Sequence, residues 1–211
     1  MRLISASPLC RVLMLLIAMS GMLAPARAAT ADPDTSIDVQ ASKEGDIIVV
    51  DVAMTISASQ HEVWNVLTDY DHMADFIGNL QSSAVISRAG NTLDVMQKGT
   101  ARYGLLSFPF ETVRRVMLMP PHEIHSRIMS GDMTGSEIVT RITADGPITQ
   151  VSVRSRYAPT IWIPPIIGTS VIAAQTRQQW LTLREEVLRR RAAMARPSGP
   201  IRAEGPSQGA N

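Results

Sequence analysis

Apolar and polar positions follow a strand pattern and then a helix pattern at the start of the ordered region. The stretch DIIVVDVAMTI, residues 46–56, is rich in β-branched side chains and predicts a strand. Ser59 followed by Glu62 predicts a capping box, and therefore a helix that begins at about Gln60. Apolar residues then recur at spacings of three and four up to Leu67, so this helix has an apolar face that must pack on another element.

Six segments with alternating apolar and polar residues follow, from Ser82 to Pro159. The breaks between them, such as Ala89-Gly90-Asn91, suit tight reversals of the chain. Six consecutive strands with short connections predict an antiparallel meander. Because the segments alternate, one face of the sheet contacts water and the other face needs a cover.

The last ordered segment predicts that cover. After the pair Pro164-Pro165 the chain runs to Arg196 without proline and is rich in helix formers. Its second half has an apolar stripe that includes Leu183 and Val187, whereas residues 166–174 are largely apolar on every side. A helix start of that kind is enclosed either by protein or by protein together with a bound apolar ligand.

The first 28 residues have the pattern of a secretory signal peptide. An apolar run, Val12–Met19, follows two arginines, and Ala26 and Ala28 form an A-x-A cleavage pattern. An uncleaved membrane anchor is the alternative, but this run is far shorter than the roughly 20 residues needed to cross a bilayer. We therefore predict export, to the periplasm, after cleavage near Ala28.

Length and composition predict one domain with appendages. A chain of 211 residues, 45% of them hydrophobic, can bury one core. We assign residues 29–45 to a flexible lead-in, 46–195 to the domain, and 196–211, rich in Pro, Gly and Ser, to a disordered tail.

Loss of the signal peptide would change the chemistry of the chain. The single cysteine, Cys10, would leave, so the mature chain would have neither a disulfide nor a thiolate nucleophile. Basic residues would fall from 20 to 17 while the 19 acidic residues remain, a balance that does not indicate a nucleic-acid partner. The stretch LRRRAAMAR, residues 188–196, suits peripheral membrane contact, although a solvated helix end is the favoured interpretation.

The order of elements resembles a known fold. Residues 63–86, VWNVLTDYDHMADFIGNLQSSAVI, are similar to the segment that opens the START-like (SRPBCC) superfamily in its bacterial polyketide cyclase/dehydrase branch. Residues 177–190, RQQWLTLREEVLRR, are similar to the final helix of that branch. The resemblance implies an α+β helix-grip fold, in which a curved antiparallel sheet of about seven strands wraps around a long C-terminal helix. It also implies a deep apolar cavity that binds lipids, isoprenoids, sterols or polyketides.

One departure from that family is Gly78, which stands where the family commonly has proline. It predicts a looser loop near the mouth of the cavity. The candidates for the cavity lining are large rings near strand ends or loops and one apolar side chain near the start of the last helix: Phe76, Tyr103, Phe108, Phe110, Trp162 and Ile167. An ordinary core position is the alternative for each ring.

Candidate catalytic residues are few. Glu123 and His125 share one face of a strand and could move protons if that face lined the cavity. A solvent-facing ladder is the favoured interpretation, because Ile124 lies on the opposite face. Arg114 and Arg115 point to opposite faces, so one could face inward and bind a polar head group, although a twisted edge that lets both reach water is favoured.

The acidic residues near the first helix do not predict a metal site. His61 and Glu62 begin like a zinc motif, but Asn65 stands where the second histidine should be. Asp69 and Asp71 belong to a group that lacks the glycine and terminal glutamate of a calcium loop, and helix capping is the favoured role for either of them. We predict no metal and no cofactor.

Together these features predict an exported carrier of a hydrophobic small molecule. The alternative is a cyclase or dehydratase enzyme that uses the same cavity.

Overall fold

The structure is a computed structural model that describes residues 36–103, 106–131, 133–160 and 168–195, without the side chains of 102, 103 and 106. The predicted signal peptide and tail, together with Trp162 and Ile167, lie outside the described residues. The strands are β1 Ile37–Glu44, β2 Ile47–Ile56, β3 Leu80–Ala89, β4 Thr92–Tyr103, β5 Leu106–Met119, β6 Glu123–Ser130, β7 Glu137–Asp145 and β8 Ile148–Tyr157. The helices are α1 Gln60–Leu67, α2 Met73–Phe76 and α3 Thr169–Ala195, and a 3₁₀ turn, Tyr70–His72, precedes α2.

All eight strands form one antiparallel sheet in the order β1-β2-β8-β7-β6-β5-β4-β3. The predicted six-stranded meander is confirmed as β3 to β8, and β2 pairs with the last strand of that meander. Gly90 and Gly146 occupy the tight turns that the sequence marked, with φ of 58° and 60°. These left-handed conformations favour glycine because it has no Cβ.

The first strand departs from the sequence prediction. Residues 37–44, assigned to a flexible lead-in, form β1 and pair with β2 along their whole length. Ile37, Val39 and Ala41 face the core in alternation with exposed polar residues. This short pattern is weak in isolation, and β1 is ordered by the backbone hydrogen bonds that β2 offers. The sheet therefore has eight strands rather than about seven.

The helices cover one face of the sheet as predicted. The capping box at the start of α1 is confirmed, because the Ser59 backbone N–H donates to Glu62 Oε2 at 2.7 Å and the Glu62 N–H donates to Ser59 Oγ at 3.3 Å. Val63 and Val66 of α1 and Leu183 and Val187 of α3 are buried in the same core.

An ionic clasp joins the turn after α1 to α3; it consists of Asp69, His72, Glu186, Arg189 and Arg190. Arg190 donates to Asp69 Oδ2 at 2.7 Å and to Glu186 Oε1 at 2.6 Å. Arg189 donates to both oxygens of Glu186, and His72 Nδ1 lies 2.7 Å from Asp69 Oδ1. The clasp therefore fixes the 3₁₀ turn and α2 relative to the second half of α3.

The carboxylates of the clasp stay ionised at neutral pH. Hydrogen bonds from Arg189, together with those from Arg190, lower the pKa of the buried Glu186 although burial opposes them. Burial would raise the pKa of Asp69, but hydrogen bonds from His72 and Arg190 outweigh it and lower that pKa. A lowered carboxyl pKa stabilises the fold above the ordinary pKa, and this stabilisation is lost as the pH falls through the folded-state value.

The variant Glu186→Gln tests the clasp, since it keeps the shape of the side chain and removes its charge. We expect the free energy of unfolding at pH 7 to fall by about 1–3 kcal/mol, because two arginines lose a charged acceptor. The difference in the free energy of unfolding between variant and wild type should shrink as the pH falls below 4.5, the ordinary pKa of a glutamate carboxyl group. Urea unfolding over a pH series measures both effects. Glu185→Gln, at the exposed neighbouring position, is the control, and equal effects of the two variants would contradict the clasp.

Gly99 of β4 lies under the loop that leads into β3. A Cβ at this position would overlap the carbonyl oxygen of Asn79 and lie 2.6 Å from Cζ of Phe110. The same carbonyl oxygen accepts a hydrogen bond from the Thr100 N–H at 2.9 Å, so the loop cannot simply move away. Gly78, in contrast, has open space around its Cβ position and a φ outside the left-handed region. Its turn is closed by a hydrogen bond from the Leu80 N–H to the Ile77 carbonyl oxygen at 2.9 Å.

Alanine at these two glycines should therefore have opposite consequences. We expect Gly99→Ala to lower the free energy of unfolding by about 1–3 kcal/mol through overpacking. Gly78→Ala should leave it within about 0.5 kcal/mol of the wild type or raise it slightly. Urea denaturation of both variants measures the difference, and a neutral Gly99→Ala would show that the loop is not held against β4.

Candidate functional site

The inner face of the sheet, which faces the helices, carries the cationic side chain of Arg114 between buried apolar neighbours. Arg114 of β5 lies between Val95 of β4 and Ile128 of β6 in the strand register, and both neighbours are buried. Arg114 is itself half-buried. The adjacent Arg115 points to the outer face, where it donates to both oxygens of Asp94 at 2.9 and 3.1 Å.

This arrangement corrects the favoured interpretation that both arginines reach water. The strict alternation of β5 turns Arg114 toward the core, on the same side as the buried Val116. The alternation of side chains along a strand predicts that Arg114 and Arg115 point to opposite faces. It does not predict which of them faces inward.

The guanidinium of Arg114 has weak partners. Its Cζ lies 5.3 Å from the centroid of the Tyr70 ring, and Nη2 lies 4.0 Å from Sδ of Met73. Nε is buried and has no hydrogen-bond acceptor among the described residues. Tyr70 and Met73 are both buried in the core, so the charge of Arg114 rests against an aromatic face and a thioether.

Other polar groups lie on the same face and form, with Arg114, an inner polar cluster: Tyr70, Ser83, Gln97, Arg114 and Ser126. The buried Gln97 donates to Ser83 Oγ at 3.0 Å and approaches Sδ of Met73 at 3.5 Å. Burial raises the pKa of the Tyr70 hydroxyl, against the opposing charge of Arg114 and a hydrogen bond with Ser126. The phenol therefore stays protonated at neutral pH.

Sequence reasoning missed four members of this cluster. Gln97 gave a usable signal, because it lies in phase with the apolar Leu93 and Val95 on a strand of period 2. Tyr70 lies in the stretch that supplied the family resemblance, and no role was predicted for it. Ser83 and Ser126 are small polar residues whose inward orientation only the register reveals.

The structure locates three of the predicted lining residues. Phe108 and Phe110 are half-buried on β5, and the Phe110 ring lies against Gly99. Phe76 is half-buried against the core at the end of α2, and Cζ of Arg190 lies 5.5 Å from its ring centroid. Phe76 thus also lines a surface groove beside the ionic clasp. The side chains of Tyr103, Trp162 and Ile167 lie outside the described part of the chain.

Glu123 and His125 lie on the outer face of the sheet. His125 Nε2 is 2.9 Å from Glu123 Oε1, and Arg141 of β7 lies 3.2 Å from the same oxygen. Ile124 and Ser126, which alternate with them, are buried on the inner face. A hydrogen bond from His125 is the main reason that the pKa of Glu123 is lowered. This is the geometry of a cross-strand ion-pair ladder, and it does not present the pair to the inner face.

The acidic residues after α1 have structural partners. Asp71 accepts a hydrogen bond from the Val85 N–H at 2.7 Å, and Asp69 belongs to the ionic clasp. The capping role predicted for one of them is not observed, because the described helix starts next to them have no side-chain cap hydrogen bond. Over the described ranges, no group of three or more His, Cys, Asp or Glu residues could hold a metal ion.

For the end of α3, the sequence favoured a solvated helix end over peripheral membrane contact. Arg189 and Arg190 there are both engaged by Glu186, and Arg190 also by Asp69. Within the described segments, no helix combines the length and the apolar character needed to cross a bilayer.

Solved structures with the same fold come from several bacteria. The aromatase/cyclase Zhui from Streptomyces sp. R1128 is 17% identical, with a TM-score of 0.58 over 74% of this chain and 99% of that one. A START superfamily protein from Mycobacterium smegmatis is 13% identical, with a TM-score of 0.58 over 67% and 97%. A STAR-related lipid transfer protein from Xanthomonas axonopodis is 11% identical, with a TM-score of 0.53 over 71% and 98%. At such identities the likeness establishes the fold alone.

The family comparison is more direct. No curated protein sequence matches this chain. The model of the family described as polyketide cyclase / dehydrase and lipid transport matches residues 56–199, which is more than half of the chain. The chain therefore belongs to this family, and its fold is the helix-grip architecture.

Proposed function

We propose that this protein is an exported carrier that holds a hydrophobic small molecule between the sheet and α3. The observation that carries the proposal is the inner face of β5 between Phe108 and Arg114. There Phe108, Phe110 and Arg114 are half-buried, whereas Val116 on the same face of β5 and Val95 on β4 are fully buried. The backbone of α3 packs mainly against β1, β2 and α1, near the edge of the sheet opposite to β3 and β4. Incompletely covered aromatic side chains on a concave face are typical of a ligand site.

The alternative, a cyclase or dehydratase, would need proton-transfer groups at the same place. The best acid-base pair in the sequence, Glu123 and His125, lies on the outer face. The inner polar cluster offers a protonated phenol and a guanidinium, which can orient an oxygen atom but are poor bases at neutral pH. The carrier therefore fits the described residues better. Turnover of an aromatic polyketide precursor by the purified protein would favour the enzyme instead.

Ligand content tests the carrier. We expect the purified mature chain, residues 29–211, to yield a lipid-soluble molecule on organic extraction and mass spectrometry. Delipidated protein should raise the fluorescence of an environment-sensitive lipophilic probe, because an apolar site shields the probe from water. The variant Phe110→Asp should weaken probe uptake by placing a charge on the inner face, while Ile86→Asp, on an exposed side chain, is the matched control. Absence of both extracted lipid and probe uptake would refute the carrier.

Export has a separate test. We expect the chain, when produced with its own N-terminus in a Gram-negative host, to accumulate in the periplasm with Ala29 as its first residue, as read by intact mass. The variant Ala28→Arg should retain the uncleaved precursor, because the residue before the cleavage site must be small. Ala29→Ser, one residue later, should be processed normally. A full-length wild-type protein in the cytoplasm would overturn this part of the proposal.

We do not extend the proposal to membrane contact through the end of α3. Arg189 and Arg190 are paired with carboxylates, and such pairs reduce the charge available to an anionic surface.

A further inference from the structure

Arg114 differs in its ion pairing from the arginines on the outer face of the sheet. On the outer face, a carboxylate lies within ion-pair distance of each of these arginines: Arg115, Arg127, Arg141, Arg154 and Arg156. On the inner face, no described carboxylate lies within that distance of Arg114. Arg114 is therefore less exposed than these five arginines, and among the described residues it has no acidic partner.

Such an arrangement is costly for a protein without a ligand. A guanidinium is a permanent charge in proteins, so its burial cannot be relieved by neutralisation. A half-buried charge that lacks a counter-ion destabilises the fold, and a ring face or thioether offsets this cost incompletely. Arginine also has five N–H donors, and the Nε of Arg114 is buried with no acceptor in the described part of the chain.

The side chains around Arg114 would suit a ligand of one chemical class. Apolar side chains, among them Val95, Ile128 and Phe110, flank it along the inner face. Gln97 and Tyr70, within the inner polar cluster, add groups that hydrogen-bond oxygen atoms. A molecule with an apolar body and one oxyanion would bury its body against the sheet, supply the acceptor that Nε lacks and replace the weak sulfur acceptor of Nη2. Carboxylates accept such paired N–H donors in a bidentate geometry.

We infer that the ligand of this protein is an anionic amphiphile, and that Arg114 binds its carboxylate or equivalent oxyanion. This inference rests on the proposed carrier function and specifies the chemical class of its cargo. Arg114 is then the residue that selects acids over neutral lipids of the same length.

Binding of a matched pair of ligands tests the inference. The probes are hexadecanoate and its methyl ester, which differ in charge and hardly in apolar length, measured by displacement of a lipophilic dye from the delipidated mature chain. We expect Arg114→Gln to weaken hexadecanoate binding roughly 10- to 100-fold, as loss of charge-assisted hydrogen bonds implies, and to change ester binding little. Arg115→Gln, at the adjacent outer position, should change neither affinity.

A second variant separates recognition from a structural role. Arg114→Met replaces the charge by an apolar side chain of similar length and remains informative if the glutamine variant does not fold. We expect the melting temperature of the ligand-free protein to stay constant or rise, because an uncompensated charge leaves the interior. A lower melting temperature together with equal weakening of acid and ester would show that Arg114 is structural and would overturn the inference.

The remaining outcomes distinguish the two proposals. If the wild type binds acid and ester and Arg114→Gln binds both as well as the wild type does, the carrier stands and the role of Arg114 is refuted. If the wild type binds neither ligand and no dye, the carrier function fails, and the inference about its cargo fails with it.

Discussion

The pairing of β2 with β8 is the constraint on which the rest of the structure depends. It joins residues about a hundred positions apart, from Ile48 opposite Tyr157 to Ile56 opposite Thr149. This pairing brings the first two strands to one side of the meander and makes all eight strands one sheet. Since α3 follows β8 in the chain and packs on β1 and β2, the position of the helix on the sheet depends on this long-range pairing. Such non-local contacts are slow to form because a long loop must close first.

Local signals in the sequence predicted an element well where the residues that give the signal are also the residues that form the structure. The start of α1 rests on Ser59 and Glu62, three residues apart, and the reversals of the meander rest on single glycines such as Gly90 and Gly146. The strand β1 was missed because its apolar half is three residues long and its order comes from a partner strand. Its stability is a property of the pair and not of the segment.

The candidate site was harder to predict for the same reason. Alternation along β5 established that Arg114 and Arg115 diverge, yet the choice of inner face depends on the registers with β4 and β6. The ionic clasp links Asp69 to Arg190 across 121 positions, and no spacing in the sequence indicates such a contact. Acidic residues that looked like capping groups are thus employed in tertiary contacts. Fold could be inferred from patterns, whereas the function of individual charges required the three-dimensional arrangement.

The hydrogen bond from Val85 to Asp71 has a consequence for how molecules of this protein meet one another. Because β3 is an outer strand of the sheet, its unpaired backbone groups could serve as a template for a strand of a second molecule. The 3₁₀ turn that carries Asp71 lies beside β3, and its carboxylate accepts the Val85 N–H where the register of β3 shifts. A bulge and a bound carboxylate at the same point both hinder strand addition. The carboxylate of Asp71 therefore hinders the addition of a strand from a second molecule at this edge.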